Sequence, residues 1–175
     1  GLYAAGQFFA YSNPWLATLL LGLGMVQAGW LGHDYVHGRG PLCDALRYMP
    51  TLLNGHSVEW WSQKHSMHHT LTNEEHLDND VMMEPFFFLR PPSESGRPDN
   101  ALRKYQHIYG YPLLSIMFWL WRFHSVEGAW KRKDKKELVL LGVNYLWLAT
   151  CMPWQVAIGS VFFSGFIVAS LVSAT

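Results

Sequence analysis

The chain has 175 residues, half of them hydrophobic, and its 13 Lys and Arg against 13 Asp and Glu leave a formal net charge of zero. That balance offers no basic footprint for a nucleic-acid partner, and the placement of the charges argues against an ordinary soluble domain. Every Lys, Arg, Asp and Glu lies between Asp34 and Glu137, so residues 1–33 and 138–175 carry no formal charge. Two uncharged ends rich in Leu, Trp, Phe and Gly around a charged middle are the pattern of membrane hairpins flanking a polar region.

Residues 1–11 are apolar but make only about 16 Å of helix, too little to cross a bilayer, and are expected to be the end of a spanning helix. Ser12-Asn13-Pro14 is a turn signal, with Pro14 suited to the first position of the next helix. Trp15 to Gly32 is uncharged over about 27 Å of helix, enough to span, and Trp15 and Trp30 mark its two ends as an aromatic belt would. Gly38 to Pro41 breaks that helix. Cys43 to Leu53 is expected to be one short amphipathic element, with Leu46, Met49 and Leu53 on one side. Ser57 to Thr70 follows as a helix with Ser57 as its N-cap.

From Thr72 to Asp99 the chain is polar, acidic and Pro-rich, a loop interrupted by Met82-Met83 and Phe86-Phe87-Phe88. Ile108 to Trp121 is apolar but holds Gly110 and Pro112. Arg103 and Lys104 lie on one side of it, Arg122 and Lys131 to Lys136 on the other. Spanning would put those basic groups on opposite faces, so this run is expected to lie in the membrane interface on the cytoplasmic side. Leu138 to Met152, a turn at Pro153, and Trp154 to Thr175 form a second hairpin. Its first arm is short enough to draw on residues before Leu138, and its parity returns Thr175 to the cytoplasmic face. Cys43 and Cys151 then fall on opposite sides of the membrane, with no disulfide between them and no paired ligand spacing. The chain starts and stops inside apolar segments and has no initiator Met, so it is expected to be a fragment.

Seven of the nine histidines lie between His33 and His76. His33-Asp34-Tyr35-Val36-His37 is an HxxxH box, and His65-Ser66-Met67-His68-His69 is an HxxHH box. Positions i, i+3 and i+4 share a helix face, so each box aims its imidazoles at a common point. Neutral imidazole is the commonest side-chain metal ligand and suits iron, zinc and copper. Five histidines exceed the needs of one tetrahedral zinc and suit a two-metal site completed by ligands from elsewhere.

HDYVH at 33–37, WWSQKHSMHHTLTN at 60–73, the acidic HLDND at 76–80 and Tyr105-Gln106-His107-Ile108-Tyr109 together resemble the membrane fatty acid desaturases, in particular the front-end, acyl-lipid type. The resemblance runs along essentially the whole chain. It implies an all-α integral membrane protein: a membrane hairpin over 1–32, a cytoplasmic histidine-box and interfacial region over 33–137, and a second membrane hairpin over 138–175. His33, His37, His65, His68 and His69 match the family's ligand positions for two iron ions. A third box, QxxHH or HxxHH, follows the last crossing in that family, and this sequence stops before one.

Asp34, Asp78, Asp80 and Glu59 are candidates to accept the second N–H of ligand imidazoles, which orients the ring and raises its basicity; solvated loop carboxylates are the alternative. Asn73 is a candidate for a water-mediated ligand or a supporting group. His76 is either a supporting group or an exposed loop histidine. Trp60 and Trp61 either line an acyl channel or pack in the core. His56, His107 and His124 fall outside the boxes.

The implied activity is oxygen-dependent introduction of a double bond into a fatty acyl chain of a lipid. Electrons would come from cytochrome b5, often fused upstream, which here would lie before Gly1. Lys131 to Lys136 is suited to an acidic electron donor or equally to anionic head groups. The expected location is the endoplasmic reticulum with the boxes facing the cytoplasm, a plastid membrane being the alternative. The boxes alone do not separate desaturation from oxygen insertion by a hydroxylase or ketolase of the same superfamily. A membrane zinc protein is the rival from a different class.

Overall fold

The computed structural model describes residues 1–74, 76–78, 80–81, 83–88, 90–95 and 99–172. Asn79 of the acidic HLDND stretch, Met82 of the loop and Thr175, where the second hairpin is expected to return, lie outside the described residues. Among those described the fold is all-helical, with nine helices and no strand.

The first hairpin forms where the turn chemistry places it. Helix α1 (Leu2–Phe9) ends before Ser12, and α2 (Pro14–His37) starts with the Asn13 side chain accepting the Leu16 N–H at 3.1 Å and Pro14 in its first turn. α2 continues unbroken through His33 and His37 and stops at Gly38. The second hairpin comprises α8 (Lys135–Thr150) and α9 (Trp154–Val172), separated by Pro153. α8 does draw on residues before Leu138: Asp134 caps it by accepting the Glu137 N–H at 3.1 Å. α2 and the stretch Trp154–Leu171 of α9 are long and apolar enough to cross a membrane. These two lie side by side and run the same way, Thr18 facing Gly159 and Gly22 facing Phe163. Between them and the α1 and α8 ends sits a core of Ala10, Ala17, Leu21, Met25, Leu148, Met152, Val156 and Val161.

The stretch from Cys43 to Leu53 is two short helices, not one amphipathic element. α3 (Pro41–Leu46) and α4 (Met49–Asn54) are separated at Arg47 and Tyr48. Pro50 is the physical cause: it has no N–H to continue the α3 ladder, and its ring clashes with the Leu46 carbonyl four residues back, but it fits a first turn. α4 then points inward. The Asn54 amide donates to the Met25 carbonyl, midway along α2, at 2.9 Å. Its last carbonyls have no partner within the helix and are met from other elements. Asn144 of α8 donates to Leu52 O and Leu53 O at 2.8 and 3.1 Å, Tyr145 OH to Gly55 O at 3.0 Å, and Tyr3 OH to Leu53 O at 3.1 Å. Gly55 takes a left-handed conformation (φ 68°) that ends the helix. Gly32 lets α4 close on α2, because a Cβ there would lie 2.0 Å from Pro50 Cγ.

The box-two helix α5 (Val58–Thr70) begins with Ser57 Oγ accepting the Trp60 N–H at 3.0 Å. Its start is also held by α8. The fully buried Glu137 accepts the Ser57 hydroxyl at 2.6 Å, the Glu59 N–H at 3.1 Å and Arg132 Nη2 at 2.9 Å. After a loop containing the single turn α6 (Pro92–Ser95), the apolar run from Ile108 to Trp121 is part of one long helix, α7 (Ala101–Lys131). Its middle packs on α9 where Gly165 admits the Ser115 backbone, and its C-terminal half packs on α5, with Trp60 against Trp121, His124 and Gly128.

Candidate metal centre

α2 and α5 deliver the two boxes to one point. His33 and His37 sit one turn apart at the end of α2, ring centres 4.8 Å apart, and face His65 and His69 of α5. His33 lies 5.3 Å from His65 and 5.7 Å from His69; His37 lies 5.6 and 4.7 Å from the same two rings. One ligand atom from each of these four histidines lies within 4.8 Å of the others. His68 stands at the edge, 5.5 Å from His65 and 5.8 Å from His69 between ring centres. It belongs to a second group with Asp78 and Asp80.

Carboxylates set the tautomers. His68 donates its Nδ1–H to Asp78 Oδ2 at 2.8 Å, and His65 donates its Nδ1–H to Asp80 Oδ2 at 3.1 Å. His65 Nε2 is left buried and has no hydrogen-bond partner. Burial and then the neighbouring His69, His33, His37 and His68 push the His65 pKa from its ordinary 6.5 down to about 3. Its ring is therefore neutral at physiological pH, with a free lone pair. Four mutually close imidazoles would repel one another if charged, and a buried ring nitrogen without a partner is costly. A bound cation removes both penalties, so the donor set fits a metal of the kind that imidazole prefers.

The loop after α5 folds back because Asn73 and His76 adopt left-handed backbone conformations (φ 60° and 66°). Asp78 is fully buried and accepts from His68, from the Asn73 N–H at 2.8 Å and from the Asp80 N–H at 2.9 Å. Burial pushes its pKa up, but the Asn73 N–H and His68 outweigh that and hold it below the usual carboxylate value. Asn73 thus contributes through its backbone, its side chain being exposed, as is His76. Asp34 reaches His33 Nδ1 at 3.1 Å with a side chain 76% exposed. Glu59 pairs with Arg47 at 2.9 Å and with no box histidine.

Trp61 stacks on His65 with centres 4.4 Å apart and meets His33 and His37 edge-on. Trp60 turns the other way, stacks on His124 and lines a cavity of about 400 Å³ with Lys64, Met117, Leu120, Trp121 and His124. His56 packs on Phe118 and Trp121, away from the cluster. Two contributors escape a reading of the boxes. Lys64 sits directly before His65 and touches Asp80; its one signal in the sequence is a lone basic residue beside a box. Glu137, the last charge before the uncharged end, holds the start of α5.

Residues 11–175 match the family model described as fatty acid desaturase. The chain is 31% identical over 133 residues to an acyl-lipid 8-desaturase of Rebecca salina, covering 70% of this chain and 31% of that protein. It is 30% identical over 156 residues to the Delta(6)-fatty-acid desaturase fat-3 of Caenorhabditis elegans, covering 82% and 35% respectively. Against an acyl-lipid (9-3)-desaturase of Physcomitrium patens it is 27% identical over 151 residues, 75% of this chain and 28% of the other. The chain thus spans about a third of the length of the curated relatives it matches. No solved structure matches it. A match over nearly its whole length, carried by a chain whose two boxes converge, places it: the chain belongs to the fatty acid desaturase family.

Proposed function

We propose that this chain carries the first two histidine boxes of a front-end membrane desaturase that introduces a double bond into a fatty acyl chain of a lipid at the expense of O2. The observation that supports this best is the cluster of His33, His37, His65 and His69, with His68 beside it, in a chain of this family. His33, His37, His65, His68 and His69 hold two irons together with histidines from a third box elsewhere in the protein. Those irons supply the oxidising power that no side chain has.

The residues of this chain set up that site. Asp78 and Asp80 orient His68 and His65 and place the ring N–H on Nδ1, so that Nε2 is the nitrogen left for the metal; Asp34 supports His33 from the solvent side. Trp61 packs against His65 and braces the cluster, and Trp60 forms part of the wall along which the acyl chain lies. In the proposed arrangement 1–32 and 138–175 are the membrane hairpins, 33–137 is the cytoplasmic region, and α7 lies along the interface. The boxes face the cytoplasm from the endoplasmic reticulum, and cytochrome b5 delivers electrons, with Lys131 to Lys136 as the basic surface it meets.

The test is expression of the intact protein in a host that lacks the product, with analysis of the double bonds in its acyl lipids. A new unsaturated acyl chain and about two irons per protein are expected. His68→Ala should abolish the product while the protein stays in the membrane fraction; wild-type turnover in that variant refutes its role as a ligand. A hydroxylated product, or one zinc without iron, would move the assignment to the corresponding rival.

A further inference from the structure

Lys64 directs its charge into the protein, and its side chain is only 24% exposed. The ammonium group meets Asp80 Oδ1 and lies 5.3 Å from the centre of the Trp121 ring on α7. The other oxygen of the same carboxylate, Asp80 Oδ2, accepts His65 Nδ1–H. The Asp80 N–H in turn donates to Asp78 Oδ1, and Asp78 Oδ2 accepts from His68. One cation is therefore connected through two aspartates to two box histidines.

A carboxylate that accepts an imidazole N–H strengthens the opposite ring nitrogen as a donor. A cation on its second oxygen tempers that effect and fixes the plane of the carboxylate, so that Oδ2 stays aimed at the imidazole. A lysine stem is flexible, and the face of Trp121 restricts where its ammonium can go.

We propose that Lys64 is a positioning residue for the metal centre, acting through Asp80 to set the orientation and donor strength of His65. This rests on the reading of the histidine cluster as a metal centre. Lys64 is not a ligand; its effect is transmitted by one carboxylate.

Co2+ is the probe, titrated against a chelator into the purified intact protein in detergent. Its visible ligand-field bands and the paramagnetically shifted imidazole N–H resonances are recorded alongside affinity. Lys64→Met frees the plane of the carboxylate, and that loss of aim outweighs the untempered donor strength of His65. The tightest Co2+ site should therefore weaken about 3–10-fold, one step milder than loss of a direct imidazole partner, and the bands and the His65 N–H resonance should move. Lys64→Arg should restore both. In an Asp80→Asn background Lys64→Met should change the spectrum no further, because the path is already cut. Wild-type affinity and spectrum in Lys64→Met, or additive changes in the double variant, overturn the proposal. If the Met variant does not fold, Lys64→Gln is measured instead, and unchanged bands there overturn it equally. Failure of the wild-type protein to bind Co2+ is a separate result: it removes the metal centre itself, and the positioning role with it.

Discussion

Asp78 shows how much of the site rests on single groups outside the boxes. Its carboxylate is fully buried and accepts from His68, the Asn73 N–H and the Asp80 N–H, which together hold the loop after α5 against the helix. Asp78→Asn keeps the shape but turns an amide NH2 toward one of those donors. Metal binding should weaken about 10–100-fold, and the metal-free protein should lose about 1–3 kcal/mol. Chelator competition and unfolding in detergent measure the two effects separately. The convergence of His33, His37, His65 and His69 was legible from spacing, because i and i+4 share a helix face, whereas His68 at i+3 stands aside with Asp78 and Asp80. Which carboxylate serves which histidine was not legible. His68 and His65 find their partners 10 and 15 residues further on, across a loop whose path depends on left-handed Asn73 and His76. Periodicity is silent about such a path. Glu59 illustrates the reverse error: proximity to box two in sequence suggested a role there, and Arg47, brought up by the break before α4, takes it instead.

Helix α5 is positioned from its start as well as from its histidines. Ser57 caps it from within, and Glu137 of α8 accepts the Ser57 hydroxyl and the Glu59 N–H while paired with Arg132. Glu137→Ala would leave Arg132 Nη2 without its carboxylate and the Glu59 N–H without an acceptor. A loss of about 3 kcal/mol is expected, as for breaking other buried ion pairs. The same change should loosen metal binding although Glu137 touches no histidine; unfolding and Co2+ titration read the two consequences. The cap at Ser57 and the turn before Pro14 were visible in the sequence because both are local chemistry. The junction with Glu137 was not, since it joins residues 80 apart. The region between the boxes was misjudged for a different reason. Leu46, Met49 and Leu53 do repeat at helical spacing, but Pro50 vetoes a continuous helix, and the veto outweighs the pattern.

At the scale of the whole molecule, confinement of every charge between Asp34 and Glu137 made the class of protein legible before any helix was placed. In the proposed arrangement Cys43 faces the cytoplasm and Cys151, at the turn between α8 and α9, faces away from it; both are free thiols. With single-cysteine variants in sealed, cytoplasm-out vesicles, a membrane-impermeant maleimide should label Cys43 at once and Cys151 only after permeabilisation. Labelling of both in sealed vesicles would overturn the topology. Hydropathy gave no hint that α4 turns inward to the level of Met25, because six residues with two free carbonyls do not look like a segment that avoids water. Asn144, Tyr145 and Tyr3 meet the carbonyls at its end where water would otherwise serve. That arrangement has a consequence for how the protein is made. The ribosome delivers Leu52 O and Leu53 O 92 and 91 residues ahead of the Asn144 amide that meets them. Until α8 is synthesised, α4 is held by α2 and Tyr3, and the box-two helix that follows lacks its Glu137 anchor. The start of the box-two helix is thus completed only once α8, a helix that carries none of the histidines, has been made.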